Sequence, residues 1–229
     1  VLAGVNHAKE IFKIKGCSVK ILKKDGTKTK PNQTIMSITG DSAKILTCER
    51  TALNLLTRMS GIATQTNYLV KKIPSKTKLY ATRKTAPGLR YFDKEAVEIG
   101  GGKKHRLRLD EMVMIKDNHI AVSDSLELLI KKAKKKYKKF EVEVENISDA
   151  VFAAKSGASI IMLDNFTPSQ IKKAISILKK EKLRNKVLLE ASGGITVKNI
   201  SNYGKTGVDI ISVGSITNSV KGIDMSLEI

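Results

Sequence analysis

The sequence is poor in aromatic residues, in cysteine and in acidic residues. It contains no Trp, and aromatic residues make up only 4% of its 229 residues, so few rings are present to stack on nucleic-acid bases. Cys17 and Cys48 are too few for a disulfide framework and lack the spacing of metal ligands, which leads us to expect a reducing, cytoplasmic environment. No apolar stretch approaches the roughly 18 residues that span a bilayer, so we expect no membrane association.

Basic residues are in large excess, with 42 Lys and Arg against 22 Asp and Glu and a net charge of +20. Such a charge predicts acidic ligands or a strongly hydrated surface. Seven lysines fall within residues 131–140, where Leu126, Ile130, Ala133 and Tyr137 recur at helical spacing. We interpret this segment as a helix with one buried stripe and a solvated lysine face. A nucleic-acid surface stays open as an alternative that the composition does not support.

The first part of the chain differs in pattern from the rest. Residues 1–46 are strand-like and rich in turn signals, and residues 47–73 predict a long helix capped by Thr47. After residue 76, short apolar runs alternate with amphipathic segments, as in a parallel sheet whose strands are connected by helices. The amphipathic segments are 124–137, 147–156, 168–180 and 196–205.

Polar residues end nearly every one of these apolar runs. The run ends are Arg83-Lys84, Lys116, Glu143, Asp164, Glu190 and Gly214-Ser215. In a β/α barrel the carboxyl ends of the strands meet at one mouth, where active sites lie, whereas an open sheet gathers ligands at one switch point. Polar residues on six runs therefore favour a TIM-like β/α barrel.

Cations are concentrated in two stretches, "TRKTAPGLR" (82–90) and "GGGKKHRLRLDEMVMIKDNHI" (100–120). Arg83 and Arg106 suit bidentate binding of carboxylates, and Lys116 supplies a point charge. His105 suits hydrogen bonding or proton transfer. A flexible basic loop followed by an ordinary strand end is the alternative interpretation.

Carboxylates and small residues follow other runs. Glu143 and Asp164 would hold Mg²⁺ or accept hydrogen bonds from ribose hydroxyls, and a salt-bridged strand is the structural alternative. The stretches "LEASGGI" and "ISVGSIT" would offer backbone N–H groups, leading into helices, to an anion. Loops after the last two strands of barrels are a common phosphate site, although ordinary loop glycines remain the alternative.

A series of motifs, in order along essentially the whole chain, resembles the quinolinate phosphoribosyltransferase family. Each motif is weak alone, but the combination is specific. The motifs are "ERTALNLLTRMSGIAT", "TRKTAPGLR", "GGGKKHRLRLDEMVMIKDNH", "EVEVEN", "IIMLDN", "EASGGI" and "GVDIISVGSIT".

The resemblance implies an α/β barrel with a small α/β sandwich domain. The sandwich domain would comprise residues 1–75, the barrel residues 76–215, and residues 216–229 would return to the sandwich domain. Members of the family usually have more residues before the first motif, so we expect the sandwich domain to be N-terminally incomplete. The resemblance also implies a homodimer, or a multiple of dimers, with shared active sites.

The implied reaction joins quinolinate and 5-phosphoribosyl 1-pyrophosphate (PRPP), with Mg²⁺, to give nicotinate mononucleotide, pyrophosphate and CO₂ in NAD biosynthesis. Matching motifs assign catalysis to Lys116, Glu143 and Asp164, the last two also as metal ligands. Substrate binding is assigned to Arg50 (from the neighbouring subunit), Thr82, Arg83, Lys84, His105, Arg106 and Lys116. Phosphate binding is assigned to Ser192, Gly193, Gly194, Val213, Gly214 and Ser215.

Two other functions stay open at this point. One is a related phosphoribosyltransferase that acts on nicotinate or another small acid, and CO₂ release from quinolinate would separate it from the first hypothesis. The other is a basic nucleic-acid-binding module, which predicts strongly salt-dependent binding. Acidic residues at the predicted strand ends argue against this module because they would repel phosphate backbones.

Overall fold

The computed structural model describes residues 1–123 and 125–229, which form two compact units. Unit 1 comprises residues 1–70, 81–104 and 214–229, and unit 2 comprises residues 71–80 and 105–213. The division of the chain into domains at residues 75 and 215 stays a prediction. The elements are, in chain order, α1 (Val5–Ile14), β1 (Ser18–Ile21), β2 (Met36–Thr39), α2 (Ser42–Val70), β3 (Lys78–Tyr80), α3 (Arg90–Ile99), β4 (Val113–Ile115), α4 (Asp117–Ser123), α5 (Leu126–Lys136), β5 (Phe140–Val144), α6 (Ile147–Ser156), β6 (Ile160–Asp164), α7 (Pro168–Lys180), β7 (Leu188–Ser192), α8 (Ile200–Gly204), β8 (Ile210–Ser212) and α9 (Ser215–Asn218).

Unit 1 begins with a helix that the sequence analysis did not predict. Residues 1–46 were expected to be strand-like, but residues 5–14 form α1. Val5, Ala8 and Phe12 recur at helical spacing and are buried, and Phe12 packs in one cluster with Cys48 of α2. The two predicted strands of this region are present as the antiparallel pair β1 and β2, in which Ser18 lies opposite Thr39.

Helix α2 is the longest element of unit 1, and it begins earlier than predicted. Thr47 is not the cap, because it lies inside the helix and its Oγ1 donates to Ala43 O at 2.7 Å. Asp41 precedes the helix, and its Oδ1 accepts the N–H of Lys44 at 3.1 Å, as a capping side chain does. The predicted apolar stripe of this helix, comprising Leu53, Leu56, Met59 and Ile62, is buried.

The C-terminal segment belongs to unit 1 as well. Met225 packs against a buried cluster that contains Leu2, Val5 and Leu56. Leu227 packs against the neighbouring cluster that contains Phe12 and Cys48. Both cysteines of the chain are buried free thiols.

Unit 2 is built on a parallel six-stranded sheet in the order β3-β8-β7-β6-β5-β4. All six predicted runs form its strands, and α6 and α7 have the bounds that their amphipathic patterns predict. Buried side chains such as Val142, Ile161 and Leu189 fill the sheet. The predicted α/β fold of the TIM-like class is confirmed.

Helix α5 carries the lysine-rich face. The predicted segment 124–137 starts at Asp124, which lies outside the described residues, and the helix itself runs from Leu126 to Lys136. Ile130 and Ala133 are buried as predicted, whereas Tyr137 lies beyond the helix end and is exposed. All seven lysines of residues 131–140 are exposed, which confirms a solvated helix face.

Among residues 1–123 and 125–229, no helix combines the length and the apolar character that a bilayer crossing requires.

Candidate functional site

Four predicted site residues of unit 2 lie at one edge of its sheet. Lys116 follows β4, Glu143 is the penultimate residue of β5, and Asp164 and Ser192 end β6 and β7. Asp164 and Ser192 lie side by side in the register of the two strands. The carboxyl ends of parallel strands share one edge of a sheet, and the sequence pattern had placed these polar groups there.

Lys116 and Glu143 form an ion pair at this edge, with 3.4 Å between Nζ and Oε2. Burial raises the pKa of Glu143, the Lys116 ammonium opposes this rise, and the Asp164 carboxylate adds to it. Lys116 is fixed through its backbone, because its N–H donates to His119 Nδ1 at 3.1 Å. His119, which follows the strand, therefore has a structural role here.

Asp164 is close enough to Glu143 to act on its ionisation, and both carboxylates retain acceptor capacity. Asp164 Oδ2 accepts one hydrogen bond, from Asn165 Nδ2 at 2.7 Å. Two carboxylates next to one lysine offer hard oxygen ligands of the kind that Mg²⁺ prefers. The same oxygens would also accept hydrogen bonds from a sugar.

The predicted pair His105 and Arg106 lies in a loop before β4. Arg106 is largely buried, and its guanidinium donates to Met112 O at 2.8 Å and contacts Met114 Sδ at 3.4 Å. His105 has a left-handed backbone with φ 53°, and its Nδ1 accepts the N–H of Arg106 at 2.7 Å. Since Nδ1 acts as an acceptor here, the ring carries its proton on Nε2.

His105 Nε2 faces two carboxyl groups inside the sheet. It lies 3.4 Å from Glu141 Oε2 and 3.7 Å from Glu190 Oε2, and both glutamates are fully buried. Among the described residues, no donor meets their carboxyl oxygens in good hydrogen-bond geometry, although the Ser212 hydroxyl is near enough to Glu190 to lower the pKa of its carboxyl group. The three side chains can bring one ligand atom each to within 4.8 Å of one another, so the cluster has room for a shared proton or for a cation.

The electrostatics of this cluster favour protonated carboxyl groups. Burial raises the pKa of Glu190 to about 8, and the nearby Glu141 charge adds to the rise while His105 opposes it. Burial likewise raises the pKa of Glu141 to about 7, against the opposing charge of Arg106. A carboxyl group that keeps its proton near neutral pH is typical of a low-dielectric interior with a like charge nearby.

Glu190 was predicted only as the polar end of its run, with no role in the site. The strand continues to Ser192, so Glu190 lies within β7. The available signal was its position two residues before Ser192, because residues two apart on a strand face the same side. That alternation places Glu190 on the face that carries Ser192.

The stretch that follows β7 makes a tight turn around Asn165. Gly193 has φ 85°, and a Cβ atom there would lie against Asn165 Oδ1, so a side chain is excluded both by backbone angle and by space. Asn165 N–H donates to Ser192 O at 2.9 Å, and Gly194 faces open space. The predicted helix 196–205 is only α8, Ile200–Gly204, so an anion here would meet loop N–H groups and not a helix N-terminus.

The remaining predicted residues, except buried Val213, lie in unit 1. Arg83 is half-buried, and its Nε has no hydrogen-bond partner among the described residues. Lys84 is exposed and its N–H donates to Thr82 Oγ1 at 3.1 Å. Gly214 and Ser215 lie where the chain enters α9, and a Cβ at Gly214 would be 3.3 Å from Lys84 Cδ.

Arg50 is a further predicted substrate residue of unit 1. It lies on α2 with a largely exposed side chain, 3.8 Å from Glu49 Oε1. The geometry thus brings Lys116, Glu143 and Asp164 together in unit 2, and Thr82, Lys84 and Gly214 together in unit 1. The roles assigned to all these residues stay predictions.

Two family models together match nearly the whole sequence. The family model for the quinolinate phosphoribosyl transferase N-terminal domain matches residues 1–60, and the model for the C-terminal domain matches residues 62–228. This chain belongs to the quinolinate phosphoribosyltransferase family. The family resemblance seen in the sequence motifs is confirmed.

Members of this family with curated names are similar over the whole chain. A probable nicotinate-nucleotide pyrophosphorylase [carboxylating] of Archaeoglobus fulgidus is 47% identical, with all of this chain and 90% of the relative covered. The nicotinate-nucleotide pyrophosphorylase [carboxylating] of Rattus norvegicus is 37% identical over all of this chain and 78% of its own length.

Solved structures of the family are similar as well. The nicotinate-nucleotide pyrophosphorylase of Francisella tularensis superposes with a TM-score of 0.91 at 43% identity, covering 99% of this chain and 81% of that one. The enzyme of the same name from Ehrlichia chaffeensis gives a TM-score of 0.92 at 39% identity, covering 98% of this chain and 82% of that one.

Proposed function

We propose that this chain transfers the phosphoribosyl group of PRPP to quinolinate with loss of CO₂. The products are nicotinate mononucleotide, pyrophosphate and CO₂, and the reaction supplies NAD biosynthesis. The observation that carries the proposal is the match of both family domains along the chain, with relatives named nicotinate-nucleotide pyrophosphorylase [carboxylating].

Quinolinate binding is assigned to cations and hydrogen-bond donors. Quinolinate carries two adjacent carboxylates, and hydrogen bonds to charged groups contribute about 1.5–3 kcal/mol each. In unit 2 the assignment falls on Arg106, His105 and Lys116, and in unit 1 on Arg83. The buried Nε of Arg83 supports its assignment, because a desolvated donor without a partner is costly until an acceptor arrives.

A second carboxylate also gives the site a means of rejecting nicotinate. Cations that bind this carboxylate would stay unpaired with nicotinate, and unpaired buried polar groups strongly disfavour the wrong substrate. Quinolinate is therefore the expected acid, and nicotinate is the competing acid to test.

PRPP binding is assigned to the strand ends and their loops. Lys84 and Lys116 would neutralise pyrophosphate oxygens, and Thr82 lies beside Lys84. The 5-phosphate is assigned to the small residues of the last two loops, whose N–H groups suit an anion. These are Ser192, Gly193, Gly194, Val213, Gly214 and Ser215.

Glu143 and Asp164 fit a role in holding Mg²⁺. The like charge of Asp164 and burial both raise the pKa of Glu143, and a divalent cation would relieve this repulsion. When bound, Mg²⁺ would supply positive charge to the pyrophosphate oxygens of PRPP. It usually binds to one or two carboxylates together with substrate phosphates, which matches two carboxylates at this edge of the sheet.

The chemistry needs positioning and electrostatics and no covalent enzyme intermediate. As the bond from the ribose carbon to pyrophosphate breaks, Lys116 stabilises the departing oxygen, and Glu143 and Asp164 stabilise the positive ribosyl centre. The pyridine nitrogen then forms the new bond to that carbon. The positive ring nitrogen stabilises the electron pair left when the adjacent carboxylate departs as CO₂, and the ring carbon takes up a proton.

The proposal includes a homodimer, or a multiple of dimers, with shared active sites in the cytoplasm. Arg50 would act on the quinolinate of the neighbouring subunit. Its largely exposed side chain on α2, paired only loosely with Glu49, is available for such a contact.

The direct test is release of pyrophosphate and CO₂ from quinolinate and PRPP with Mg²⁺. Arg106→Ala should abolish turnover and keep the far-UV circular dichroism of the parent. Arg108→Ala is the matched control, because Arg108 is exposed and its ion pairs among the described residues are with nearby Asp110 and Glu111. Pyrophosphate release with nicotinate and not with quinolinate would contradict the proposed substrate, and near-normal kinetics of Arg106→Ala would remove Arg106 from the site.

A further inference from the structure

An ion pair in unit 1 contacts the loop that contains Lys84. Arg58 of α2 donates to Asp93 of α3 from Nε at 2.7 Å and from Nη2 at 2.8 Å. Asp93 is fully buried, so the two side chains form a bidentate pair that is largely shielded from water.

This ion pair also holds two chain segments. Asp93 Oδ2 accepts the N–H of Ala86, which lies in the "TRKTAPGLR" stretch, at 3.2 Å. Arg58 Nη2 donates to Thr217 O of α9 at 2.9 Å. The pair therefore connects the Lys84 loop and α9 to the long helix α2.

Thr217 makes a direct link between α9 and Lys84. Its side chain is fully buried, and its Oγ1 donates to Lys84 O at 2.7 Å and lies 3.2 Å from Gly214 O. Gly214 lies close to both Lys84 and Thr82. A Cβ atom built at Gly214 would lie 3.3 Å from Lys84 Cδ and 3.6 Å from Thr82 Oγ1. We call Thr82, Lys84 and Gly214 the Lys84 turn.

A purely stabilising role explains this arrangement poorly. A buried ion pair is often no more stabilising than well-packed apolar residues of similar volume, because both charges must be desolvated. The hydrogen bonds of Arg58, Asp93 and Thr217 instead fix the position of two backbone segments. They end on the N–H of Ala86 and the carbonyl of Lys84, in the loop that contains Lys84, and on the carbonyl of Thr217 in α9. A site that binds a polyphosphate gains from having its cation held in place before the ligand arrives.

We propose that Arg58, Asp93 and Thr217 are positioning residues that hold the Lys84 turn in the geometry that binds the phosphate groups of PRPP. This inference rests on the proposed function and deepens it. The three residues touch no substrate in this account. They act through the backbone carbonyl of Lys84, the N–H of Ala86 and helix α9.

The test compares Thr217→Val with Thr66→Val. Both threonines are fully buried in unit 1, but within the described residues the Thr66 Oγ1 hydrogen bond goes to Ile62 O of its own helix, at 2.8 Å. The two variants therefore lose a comparable buried hydroxyl. We expect Thr217→Val to weaken PRPP binding about tenfold in calorimetry without quinolinate and to raise the KM for PRPP similarly, with a smaller effect on kcat. Thr66→Val should keep both values, and Thr217→Ser should restore them.

Arg58→Lys is the second variant, in case Thr217→Val does not fold. It keeps a cation beside Asp93 but loses the planar fork that reaches Thr217 O, so PRPP binding should again weaken. If the wild type is active and folded Thr217→Val and Arg58→Lys bind PRPP as tightly as Thr66→Val, the positioning role is overturned and the proposed function stands. If the wild type neither binds PRPP nor releases pyrophosphate, the proposed function fails and this inference fails with it.

Discussion

Replacing Glu190 by Gln should destabilise the protein at acidic pH and stabilise it at alkaline pH, so the stability difference between variant and parent should change sign with pH. Glu190 is fully buried in β7, and burial raises the pKa of its carboxyl group from 4.5 to about 8. The folded state therefore holds a proton that the unfolded chain releases above pH 4.5. Stability from this group is fully present below pH 4.5 and is lost as the pH rises to about 8.

The size of the effect follows from the pKa of Glu190. At about 1.4 kcal/mol per pKa unit, the rise from 4.5 to about 8 corresponds to about 5 kcal/mol of unfolding free energy lost across that interval. Glutamine stays neutral and avoids this loss. Its NH₂ group brings one donor more than the protonated carboxyl group to the same buried place, and this additional unpaired donor costs about 1–3 kcal/mol at every pH.

We therefore expect Glu190→Gln to be less stable than the parent by about 1–3 kcal/mol near pH 5 and more stable by about 2–4 kcal/mol near pH 8.5. The groups that interact electrostatically with Glu190 include Glu141, His105, Ser212, Glu143 and Tyr80, and each is unchanged in the variant. Urea unfolding of parent and variant at both pH values measures the difference.

Glu181→Gln is the control for this experiment. Glu181 lies on the surface, where it pairs with Lys155, so its replacement should change stability by less than about 1 kcal/mol at both pH values. If Glu190→Gln is destabilised equally near pH 5 and near pH 8.5, then Glu190 is ionised in the folded protein, and the argument from burial is refuted.

Three further predictions concern the proposed reaction. Mixing Arg50→Ala subunits with Arg106→Ala subunits should restore part of the activity that each variant lacks alone, because each hybrid dimer would carry one intact shared site. A mixture that recovers no activity at any ratio of the two variants would count against shared sites. Gly193→Ala should lower stability by about 1–3 kcal/mol in urea unfolding and weaken PRPP binding, since its Cβ would strike Asn165 at a left-handed position. Gly194→Ala should cost about 1 kcal/mol, because Gly194 is also left-handed with φ 59° but a Cβ there would meet open space. Chelation of divalent cations should stop pyrophosphate release without shifting the urea midpoint, and full activity in chelator would exclude a required Mg²⁺.

The sheet of unit 2 could be predicted well from the sequence, because short apolar runs typical of buried strands alternate there with segments whose apolar residues recur at helical spacing. Apolar runs with a polar end located all six strands, and Thr167 and Pro168 begin α7 where its amphipathic pattern begins. The start of the chain was harder to predict, because α1 is short and carries the charged residues Lys9 and Glu10 between its buried residues Ala8 and Phe12. Turn signals in the neighbouring segment then biased the whole region toward strands.

Contacts distant in sequence account for what the sequence could not predict. Arg58 and Asp93 are 35 residues apart, and Thr217 lies 159 residues from Arg58, so no local pattern pairs them. The burial of Glu141 and Glu190 together depends on strands β5 and β7 with β6 between them. Sequence motifs indicate residues that touch ligands. They do not indicate residues that act by holding those ligand-binding residues in position.

The charged residues of this chain therefore fall into two classes that net charge does not distinguish. The lysines of α5 are exposed, so water and salt screen them and their placement is weakly constrained. Glu141, Glu190 and Asp93 are fully buried, where each charge needs a specific partner or a proton. A +20 surface could lose several lysines with little effect on folding, whereas removing one partner from the buried groups alters ionisation or geometry next to the proposed substrate residues. Substitutions at buried charges should therefore change stability and the geometry of the site together, whereas substitutions on the basic surface should change both much less.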